Sequence, residues 1–461
     1  MALKTKLYLS ERIVLLRIID VLFIGLGLMF SNLFFNLKYL NVVQAPISTN
    51  TGVLIAYYLV WAQVFQLFNL RDSASRFQTV RNLFITTCVC VLQYLYTPIL
   101  TPVLPANRIE ILIFFVTIFI SVFIWRNIYI FTISKKQFYK HILFVSGEKE
   151  VLSDMYLNAG LYARDNAVVG YISENETLEN QVFLDVNRTD INKVIEENDV
   201  KEIVISLKGF SKDSIEALNQ KLVRVFEQGI NIVNYEDYIE KITQCVPENN
   251  LTEYFYKYFN FSENHENRLY LAVLRLLDIF AGIGGLLFLV LFLPLIILGN
   301  LIGNRGALFY KQERVGRKGK NFNIIKLRSM VTNAEKNGAQ WAVQNDSRIT
   351  KFGKFLRKTR LDEIPQFWNI LNGEMSLIGP RPERPEFVKE LEKEIPLYGI
   401  RNVVKPGLTG WAQVMFPYAA TIEEQQKKLR YDLYYIKYRN LYLDFKIVIK
   451  TINTVLYFKG Q

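Results

Sequence analysis

The chain has 461 residues, 51% of them hydrophobic, and a formal net charge of +12. This length fits about three domains, and the hydrophobic fraction is high for a soluble protein, so membrane segments must be sought first. The three cysteines lack metal-ligand spacing, and only two histidines are present, so cysteine or histidine metal sites and histidine triads have little support.

Four apolar segments near the start are predicted to cross a membrane as helices, because each has about 20 residues, the length needed to span the hydrocarbon. They lie at roughly 13–35, 51–69, 82–103 and 109–131. By the positive-inside rule, the basic residues at their ends predict that both ends of this unit face the cytoplasm. Those residues are Lys4, Lys6, Arg12, Arg17, Arg71, Arg76, Arg81, Lys135, Lys136 and Lys140, whereas the opposite loops hold Lys38 and Arg108. Residues 1–135 are therefore predicted to form a four-helix transmembrane domain.

Between about 140 and 245, apolar runs alternate with polar helical stretches, which predicts a small Rossmann-like α/β domain over residues 136–250. In such a domain a nucleotide would bind at the first strand-helix turn, where glycines let the backbone approach the pyrophosphate. That turn reads Ser146-Gly147-Glu148-Lys149-Glu150. One glycine is present and two glutamates would repel a pyrophosphate, so the domain is predicted to be degenerate and structural or regulatory.

A further apolar stretch at 269–302 is interrupted by three glycines and Pro294. Basic residues flank both of its ends, including Lys257, Arg275 and Arg305, so both ends are expected on the cytoplasmic side. Pro294 removes a helical hydrogen bond and permits a bend. Residues 251–305 are therefore predicted to form a linker and a re-entrant membrane hairpin, broken at Pro294. An ordinary fifth span is the alternative.

The stretch at 305–330 is densely basic, with Glu313 as its single acid. Its cations are Arg305, Lys311, Arg314, Arg317, Lys318, Lys320, Lys326 and Arg328. Such an excess predicts an anionic partner. Because the stretch directly follows an apolar segment, a nucleotide or a lipid phosphate is favoured over nucleic acid.

Asp362 and Glu363 are adjacent carboxylates, and Pro365 places them at or beside a helix N-terminus. Arg381 follows in a stiff turn between two prolines, which suits it to grip a phosphate with two hydrogen bonds. The ordinary alternatives are a helix cap for the acidic pair and an ion pair with Glu383 or Glu386 for Arg381.

The stretch from 427 to 450 interleaves tyrosines with lysines and arginines. This mixture is typical of a helix that lies at the lipid headgroups, and a tyrosine-rich packing face is the alternative.

Five motifs in order resemble the bacterial polyprenyl-phosphate hexose-1-phosphate transferases, in their long form. They are Lys326-Leu-Arg-Ser-Met330, Thr359-Arg-Leu-Asp-Glu-Ile-Pro-Gln366, Gly373-Glu-Met-Ser-Leu-Ile-Gly-Pro-Arg-Pro382, Lys405-Pro-Gly-Leu-Thr-Gly-Trp-Ala-Gln-Val414 and Tyr431-Asp-Leu-Tyr-Tyr-Ile-Lys437. The resemblance implies a mainly helical α/β catalytic domain with interfacial helices over residues 306–461. Two departures are Leu293 before the hairpin proline, where the family often has Ser or Asp, and Met415 with Phe416 where it often has Arg or Gly-Arg.

The resemblance implies transfer of a sugar 1-phosphate from a UDP-sugar to undecaprenyl phosphate, with release of UMP, on the cytoplasmic face of a bacterial inner membrane. This would be the first membrane step of exopolysaccharide, capsule or O-antigen (lipopolysaccharide) synthesis. It implies that Asp362 is the nucleophile of a phosphosugar-aspartyl intermediate and that Glu363 holds Mg²⁺. The candidate substrate-binding residues are Lys326, Arg328, Arg381, Arg314 and Lys405.

Two other functions remain open at this point. One is a membrane-bound nucleotide-sugar-modifying enzyme that uses the Rossmann-like domain, and the other is a non-catalytic scaffold for polysaccharide assembly. Membrane lipids are expected partners and a homodimer is a possible state, whereas a nucleic-acid partner is not expected.

Overall fold

The computed structural model describes residues 9–35, 49–68, 76–97, 101, 105, 107–132, 140–163, 166–248, 267–332, 334, 346–395, 397–416 and 421–456. The chain divides into two compact units, Met1–Tyr238 and Ile239–Gln461, which are described separately. Some sequence predictions lie outside the described residues. These are the basic flanks Lys4, Lys6, Lys38, Arg71, Lys135, Lys136 and Lys257, and the linker at 251–266.

The described part of the first unit begins with helices α1 (Leu9–Phe35), α2 (Thr49–Val64), α3 (Arg76–Leu95) and α4 (Arg108–Thr132). By length and composition, Ile13–Phe35 and Arg108–Phe131 are able to cross a membrane, which matches the first and fourth predicted spans. Helix α2 has only 16 residues, and α3 carries several polar side chains in its first half. The second and third spans therefore remain predictions.

A buried ion pair joins α1 to α4. Arg126 Nη2 lies 2.6 Å from Asp20 Oδ2, and both side chains are fully buried. The hydroxyl of Tyr58, on α2, donates to the same carboxylate at 2.7 Å, and Arg126 also donates to the carbonyl of Leu67 at 3.0 Å. Charges in an apolar helix bundle are costly unless they are paired, so these contacts hold the three helices in one arrangement.

A parallel five-stranded sheet follows in the first unit, with strand order β3-β2-β1-β4-β5. The strands are β1 (Lys140–Val145), β2 (Asn166–Ser173), β3 (Phe183–Asp185), β4 (Val200–Ile205) and β5 (Asn231–Asn234). The helices between and after them are α5 (Lys149–Tyr162), α6 (Ile191–Asn198), α7 (Lys212–Glu227) and α8 (Tyr235–Thr243). The apolar runs seen in the sequence are the strands, because a parallel sheet covered by helices buries both faces.

The turn after β1 is closed by the loop that follows β4. The Gly147 N–H donates to the carbonyl of Lys208 at 3.0 Å, and the Glu148 N–H donates to Ser146 Oγ at 3.3 Å. A Cβ on Gly147 would lie 2.3 Å from the backbone of Gly209, so the two loops touch at their glycines. The N–H groups that would cradle a pyrophosphate in a nucleotide-binding turn are thus bonded within the protein.

The second unit contains a long helix, α9 (Arg268–Gly303), an antiparallel hairpin and a small parallel strand pair. Its strands are β6 (Phe309–Val315), β7 (Asn321–Leu327), β8 (Ser376–Ile378) and β9 (Gly407–Thr409). The remaining helices are α10 (Lys351–Lys358), α11 (Phe367–Asn372), α12 (Pro385–Glu394), α13 (Trp411–Met415), α14 (Ile422–Tyr438) and α15 (Leu441–Leu456). Three short 3-10 helices lie at Arg317–Gly319, Leu361–Gln366 and Tyr398–Val403. The core is built on the fully buried Trp411, on Ile436 of α14 and on Ile447 of α15.

The predicted re-entrant hairpin is wrong as a chain reversal, because α9 is one continuous helix of 36 residues with Pro294 inside it. A proline removes only its own hydrogen bond, and the helical bonds on either side persist. One side of α9 packs on the rest of this unit, where Gly282 and Gly285 let Leu371 and Phe367 approach closely. The other side is exposed and apolar. Its side chains include Leu276, Phe280, Leu287, Leu291, Leu295 and Leu298.

Candidate active site

Asp362 and Glu363 lie on the 3-10 helix Leu361–Gln366, which runs directly into α11. The chain enters this helix through Arg360, whose left-handed backbone (φ 59°) turns it sharply at the end of α10. Both carboxylates are only 8% exposed. The predicted position at the start of a helix is therefore confirmed, with Pro365 tolerated in the short 3-10 segment.

Glu363 is the paired member of the two. Its Oε1 atom accepts a hydrogen bond from Arg381 at 2.7 Å, lies 3.4 Å from Lys326 Nζ and is 3.9 Å from Arg360. Burial would raise the pKa of this carboxyl, but the three cations outweigh burial and hold the pKa below its usual range. Glu363 is thus a fixed negative charge.

Asp362 has the opposite character. Its Oδ1 atom is buried and has no hydrogen-bond partner among the described residues. Burial and the charge of Glu363 raise the pKa of Asp362 to about 6, against the opposing effect of Lys326, Arg357 and Arg360. Two neighbouring carboxylates with different environments commonly have different chemical roles. Asp362 is ionised at neutral pH and has an oxygen available to react.

The hairpin β6–β7 supplies two of the predicted phosphate ligands. Lys326 projects from β7 to Glu363, and burial lowers its pKa to about 8. Arg314, on β6, donates to the carbonyl of Pro382 at 3.1 Å and lies 3.6 Å from Glu383, and burial lowers its pKa to about 10. Both cations remain mainly charged at neutral pH and adjoin the acidic pair.

The turn that carries Arg381 is held from behind by buried charges. Arg401 donates to the Arg381 carbonyl at 2.9 Å and to Asp432 at 2.8 Å. Beside it, Lys428 pairs with Glu383 at 2.9 Å. Arg381 itself pairs with Glu363, so the alternative partners Glu383 and Glu386 are not the ones it takes; Glu386 lies beside Arg384.

Two cations at this site were missed from the sequence. Arg357, near the end of α10, donates to Ser329 Oγ at 2.9 Å and is close enough to Asp362 to lower the pKa of that carboxyl. Arg360 lies beside Glu363. Arg360 precedes Glu363 by three residues, a spacing at which opposite charges commonly pair, and that signal could have identified it, whereas no local spacing indicates Arg357.

Arg328 and Lys405 do not lie beside Asp362 and Glu363. The Arg328 guanidinium donates to the carbonyls of Asn304 and Ala307, at the end of α9, so it holds the chain there. Lys405 Nζ lies beside Gly373, at the far end of α11 from Asp362. At about 2 Å per residue in the 3-10 helix and about 1.5 Å in α11, that end is at most about 18 Å away. Arg328 and Lys405 thus do not adjoin the acidic pair, and their predicted role in substrate binding stays a prediction.

No group of three or more His, Cys, Asp or Glu side chains that could hold a metal ion occurs in the part of the chain that the structure describes. Mg²⁺ does not require such a group, since it is often held by one or two carboxylates together with substrate phosphates. The acidic pair, with the unpartnered Oδ1 of Asp362, fits that mode of binding.

Comparison with known proteins gives consistent results. Residues 269–458 match the family described as bacterial sugar transferase. An Aeromonas hydrophila UDP-N-acetylgalactosamine-undecaprenyl-phosphate N-acetylgalactosaminephosphotransferase is 45% identical over 203 residues, which is 42% of this chain and 47% of the relative. A Caulobacter vibrioides (strain ATCC 19089 / CIP 103742 / CB 15) UDP-glucose:undecaprenyl-phosphate glucose-1-phosphate transferase is 36% identical over 187 residues, 40% of this chain and 69% of the relative.

A third relative, from Xanthomonas campestris pv. campestris, carries the same UDP-glucose:undecaprenyl-phosphate glucose-1-phosphate transferase name. It is 43% identical over 164 residues, 35% of this chain and 34% of its own length. The chain thus spans less than half the length of the Aeromonas and Xanthomonas relatives. The family match at 269–458 includes Asp362 and Glu363.

Proposed function

The chain belongs to the bacterial sugar transferase family, and from that premise we propose that it transfers a sugar 1-phosphate from a UDP-sugar to undecaprenyl phosphate, releasing UMP. The observation that carries this proposal is Asp362. It is a buried carboxylate with one unpartnered oxygen, and cationic side chains surround it. That is an environment built for an anionic nucleophile and an anionic substrate.

The reaction proceeds in two displacements at the sugar-bearing phosphorus. Asp362 attacks, a bond forms between its oxygen and the phosphorus, and the bond to UMP breaks with the electron pair leaving on UMP. The phosphate of undecaprenyl phosphate then attacks the same phosphorus, and the bond to Asp362 breaks. Splitting the transfer lets a water-soluble donor and a membrane-bound acceptor use one site in turn.

The cations make this attack feasible, because a carboxylate approaching a diphosphate meets strong repulsion. Lys326, Arg314 and Arg381 adjoin the pair on one side, and Arg357 and Arg360 precede it on the chain. Against these five cations stand Asp362 and Glu363, together with Glu383, which lies beside Arg314 and pairs with a sixth cation, Lys428. The local excess of positive charge offsets the charge of the incoming phosphates, and Arg314 also stiffens the Pro382 turn.

We propose Mg²⁺ as the cofactor, held by Glu363 with help from Asp362. When bound, the ion would neutralise phosphate charge and steady the leaving group. The chain's own residues keep Glu363 ionised in readiness, because Arg381 and Lys326 hold its pKa down.

We propose that α9 enters the bilayer without crossing it. Contacts with this unit occur near its start, where Arg275 donates to the Leu371 carbonyl, and at its end, where a Cβ on Gly303 would lie 2.9 Å from Phe352. Between those ends α9 also packs on this unit at Gly285 and Gly299, so a crossing would carry the packed part of the unit into the hydrocarbon. The opposite, apolar face would lie in lipid, and α15 adds Tyr442 and Phe445 as exposed aromatic side chains.

The remaining parts of the proposal concern placement and pathway. The catalytic part faces the cytoplasm at the bacterial inner membrane, anchored by four transmembrane helices, and acts at the first membrane step of exopolysaccharide, capsule or O-antigen synthesis. The parallel sheet is a Rossmann-like domain without a nucleotide, which its strand order and its closed Gly147 turn support. That turn disfavours a Rossmann-dependent enzyme, and the assembled acidic site disfavours a scaffold. A homodimer is part of the proposal without a contact assigned to it.

The test is UMP release by the purified full chain in lipid, with Mg²⁺, undecaprenyl phosphate and a panel of UDP-sugars carrying glucose, galactose or N-acetylgalactosamine. We expect sustained UMP release with one of them, dependent on the acceptor lipid. If none of the panel yields UMP above the rate without protein, the proposed function is wrong.

A further inference from the structure

Three cations from different parts of the second unit meet at the end of α11 that lies away from Asp362. Lys405 Nζ and the guanidinium carbon of Arg275 both lie within 4 Å of the point where a Cβ on Gly373 would stand. Arg317, on the turn between β6 and β7, is near enough to Lys405 to affect its titration. These three residues, Arg275, Arg317 and Lys405, are called the Lys405 cluster below.

Within the described residues, no carboxylate forms an ion pair with the Lys405 cluster, and Asp278 is the acid whose charge acts on Lys405 and Arg275. Arg275 donates to the carbonyls of Ile370 at 2.7 Å and Leu371 at 2.6 Å, and Arg317 donates to the carbonyl of Val403 at 3.2 Å. These bonds orient the guanidinium groups, and the terminal carbonyls of α11 offset part of the Arg275 charge, but neither group has a carboxylate partner among the described residues. Lys405 forms no ion pair within the part of the chain that is described.

Asp278 is the carboxylate whose charge acts on Lys405, and one of its oxygens already accepts two hydrogen bonds. Its Oδ1 accepts from the Ser376 hydroxyl at 2.9 Å and from the Leu377 N–H at 2.7 Å. Burial and the neighbouring Arg275 lower the pKa of Lys405, although Asp278 opposes this. A half-buried ammonium group held beside two guanidinium groups is stabilised when an anion joins them.

The surroundings identify the kind of anion. Leu276 and Leu277 follow Arg275 directly on α9 and are 56% and 48% exposed, and Phe280, one turn further on, is 72% exposed. Arg275 thus joins the cluster of cations to an exposed apolar stretch of the same helix, an arrangement that matches the boundary between lipid headgroups and acyl chains. A free phosphate would need the cations but not the apolar border.

We propose that the Lys405 cluster binds the phosphate of an anionic phospholipid headgroup, with phosphatidylglycerol as its simplest form. The bound headgroup fixes the depth at which the start of α9 meets the bilayer. It lies at the opposite end of α11 from Asp362. Bulk lipid phosphate is therefore held apart from the site that receives the acceptor phosphate. This goes beyond the proposed transfer reaction and does not depend on its chemistry.

The test is a titration of the detergent-purified full chain with dioctanoyl phosphatidylglycerol, with bound lipid counted by native mass spectrometry. Lys405→Gln and Arg317→Gln are each expected to weaken binding about fivefold, since each cation near a lipid surface contributes about 1 kcal/mol. Lys405→Arg keeps the charge and should bind as the wild type does. Lys318→Gln, an exposed neighbour of Arg317 in the same turn, is the matched control and should change nothing.

Further arms distinguish the sources of phosphate. Dioctanoyl phosphatidylcholine, which is zwitterionic, and inorganic phosphate should each bind more weakly than phosphatidylglycerol. Undecaprenyl phosphate at equal concentration should not displace the bound phosphatidylglycerol. The proposal is overturned if Lys405→Gln binds phosphatidylglycerol as the wild type does, if inorganic phosphate binds as tightly, or if undecaprenyl phosphate competes for the same position. The titration uses no UDP-sugar, so its failure would leave the proposed reaction intact.

Discussion

Arg381 donates a hydrogen bond to Glu363 Oε1 at 2.7 Å, and the same oxygen lies 3.4 Å from Lys326 Nζ. Glu363 is thereby fixed as an ionised partner of two cations, whereas its neighbour Asp362 keeps a buried oxygen without a hydrogen bond among the described residues. One adjacent pair of carboxylates thus contains a group suited to hold charge in place and a group suited to attack. The predictions below depend on this difference.

The first half-reaction should depend on pH through Asp362. Burial and Glu363 raise its pKa to about 6 in the chain without a metal ion, and bound Mg²⁺ would lower it. Only the ionised form attacks, so at saturating Mg²⁺ the rate of UMP formation should rise with pH, with a midpoint at or below about 6. The measurement is a single-turnover UMP burst without acceptor, because undecaprenyl phosphate itself titrates in this range. In Glu363→Gln, compared with the wild type at Mg²⁺ concentrations that saturate each protein, the midpoint should move to lower pH, since the negative charge that raises the pKa of Asp362 is lost while Lys326, Arg357 and Arg360 remain. A midpoint that stays in place or rises in this variant would contradict the assignment.

Removing the charge of Glu363 should also weaken metal dependence. In Glu363→Gln we expect lower activity that excess Mg²⁺ restores only partly, with the half-saturating Mg²⁺ concentration raised about tenfold or more. Chelation should abolish wild-type activity and Mg²⁺ should restore it. The check is UMP release against Mg²⁺ concentration. An unchanged metal profile would remove Glu363 from the ligand set.

Two adjacent glycines on α9 offer a matched comparison. A Cβ on Gly285 would lie 2.1 Å from the Phe367 ring, whereas a Cβ on Gly284 meets nothing within 4 Å. Gly285→Ala should force α9 away from α11, destabilising the chain by about 1–3 kcal/mol and lowering activity. Gly284→Ala should be neutral or stabilising by up to about 1 kcal/mol, because alanine favours the helix. Thermal unfolding in detergent compares the two, and equal melting temperatures would show that α9 does not pack on α11 in this way.

The buried pair of Glu383 and Lys428, beside the turn that carries Arg381, should stabilise the folded chain. Glu383 is buried and pairs with Lys428, and despite its burial the cations Lys428, Arg401 and Arg314 lower its pKa to about 2. Lys428→Met should cost about 3 kcal/mol of unfolding free energy, since it removes the closest partner of a buried charge and leaves only Arg314 and Arg401 near it. Lys389→Met, at an exposed lysine on α12, is the control and should stay within about 0.5 kcal/mol.

The Glu383–Lys428 pair also predicts how the free energy of unfolding changes at acidic pH. Because the pKa of Glu383 is depressed in the folded state, its stabilisation is complete above the ordinary carboxyl pKa and is lost as pH falls towards 2. Adding Glu383→Gln to Lys428→Met should recover part of the loss. If the double variant is no more stable than Lys428→Met alone, the two side chains do not act as a pair.

The sequence predicted that the acidic pair, Lys326 and Arg381 belong to one site, because their motifs carry opposite charges. It did not separate Arg328 from Lys326, since residues two apart share a face only while a strand continues. Strand β7 ends at Leu327, and Arg328 turns to the carbonyls at the end of α9. Charge density thus indicates an anion site but not which cations a fold brings to it.

The membrane segment shows the same limit. Length and apolar composition identified α9, and Pro294 correctly marked a missing hydrogen bond, but the sequence could not decide between a reversal and a continuous helix. That depends on packing by Gly282, Gly285 and Gly299 against side chains distant in the chain. In the first unit, the pairing of Asp20 with Arg126 was equally hidden, because the two residues are separated by 106 positions.

The most direct test of the central claim is intact-protein mass spectrometry of wild type and Asp362→Asn after incubation with the active UDP-sugar and Mg²⁺, without acceptor lipid. The account predicts one phosphosugar adduct per wild-type chain, on the peptide that contains Asp362, and an equal burst of UMP. The adduct should disappear when undecaprenyl phosphate is added. Asp362→Asn, with an unchanged melting temperature, should give neither adduct nor UMP. Normal turnover by Asp362→Asn, or a wild type that releases UMP only once acceptor is present, would contradict it.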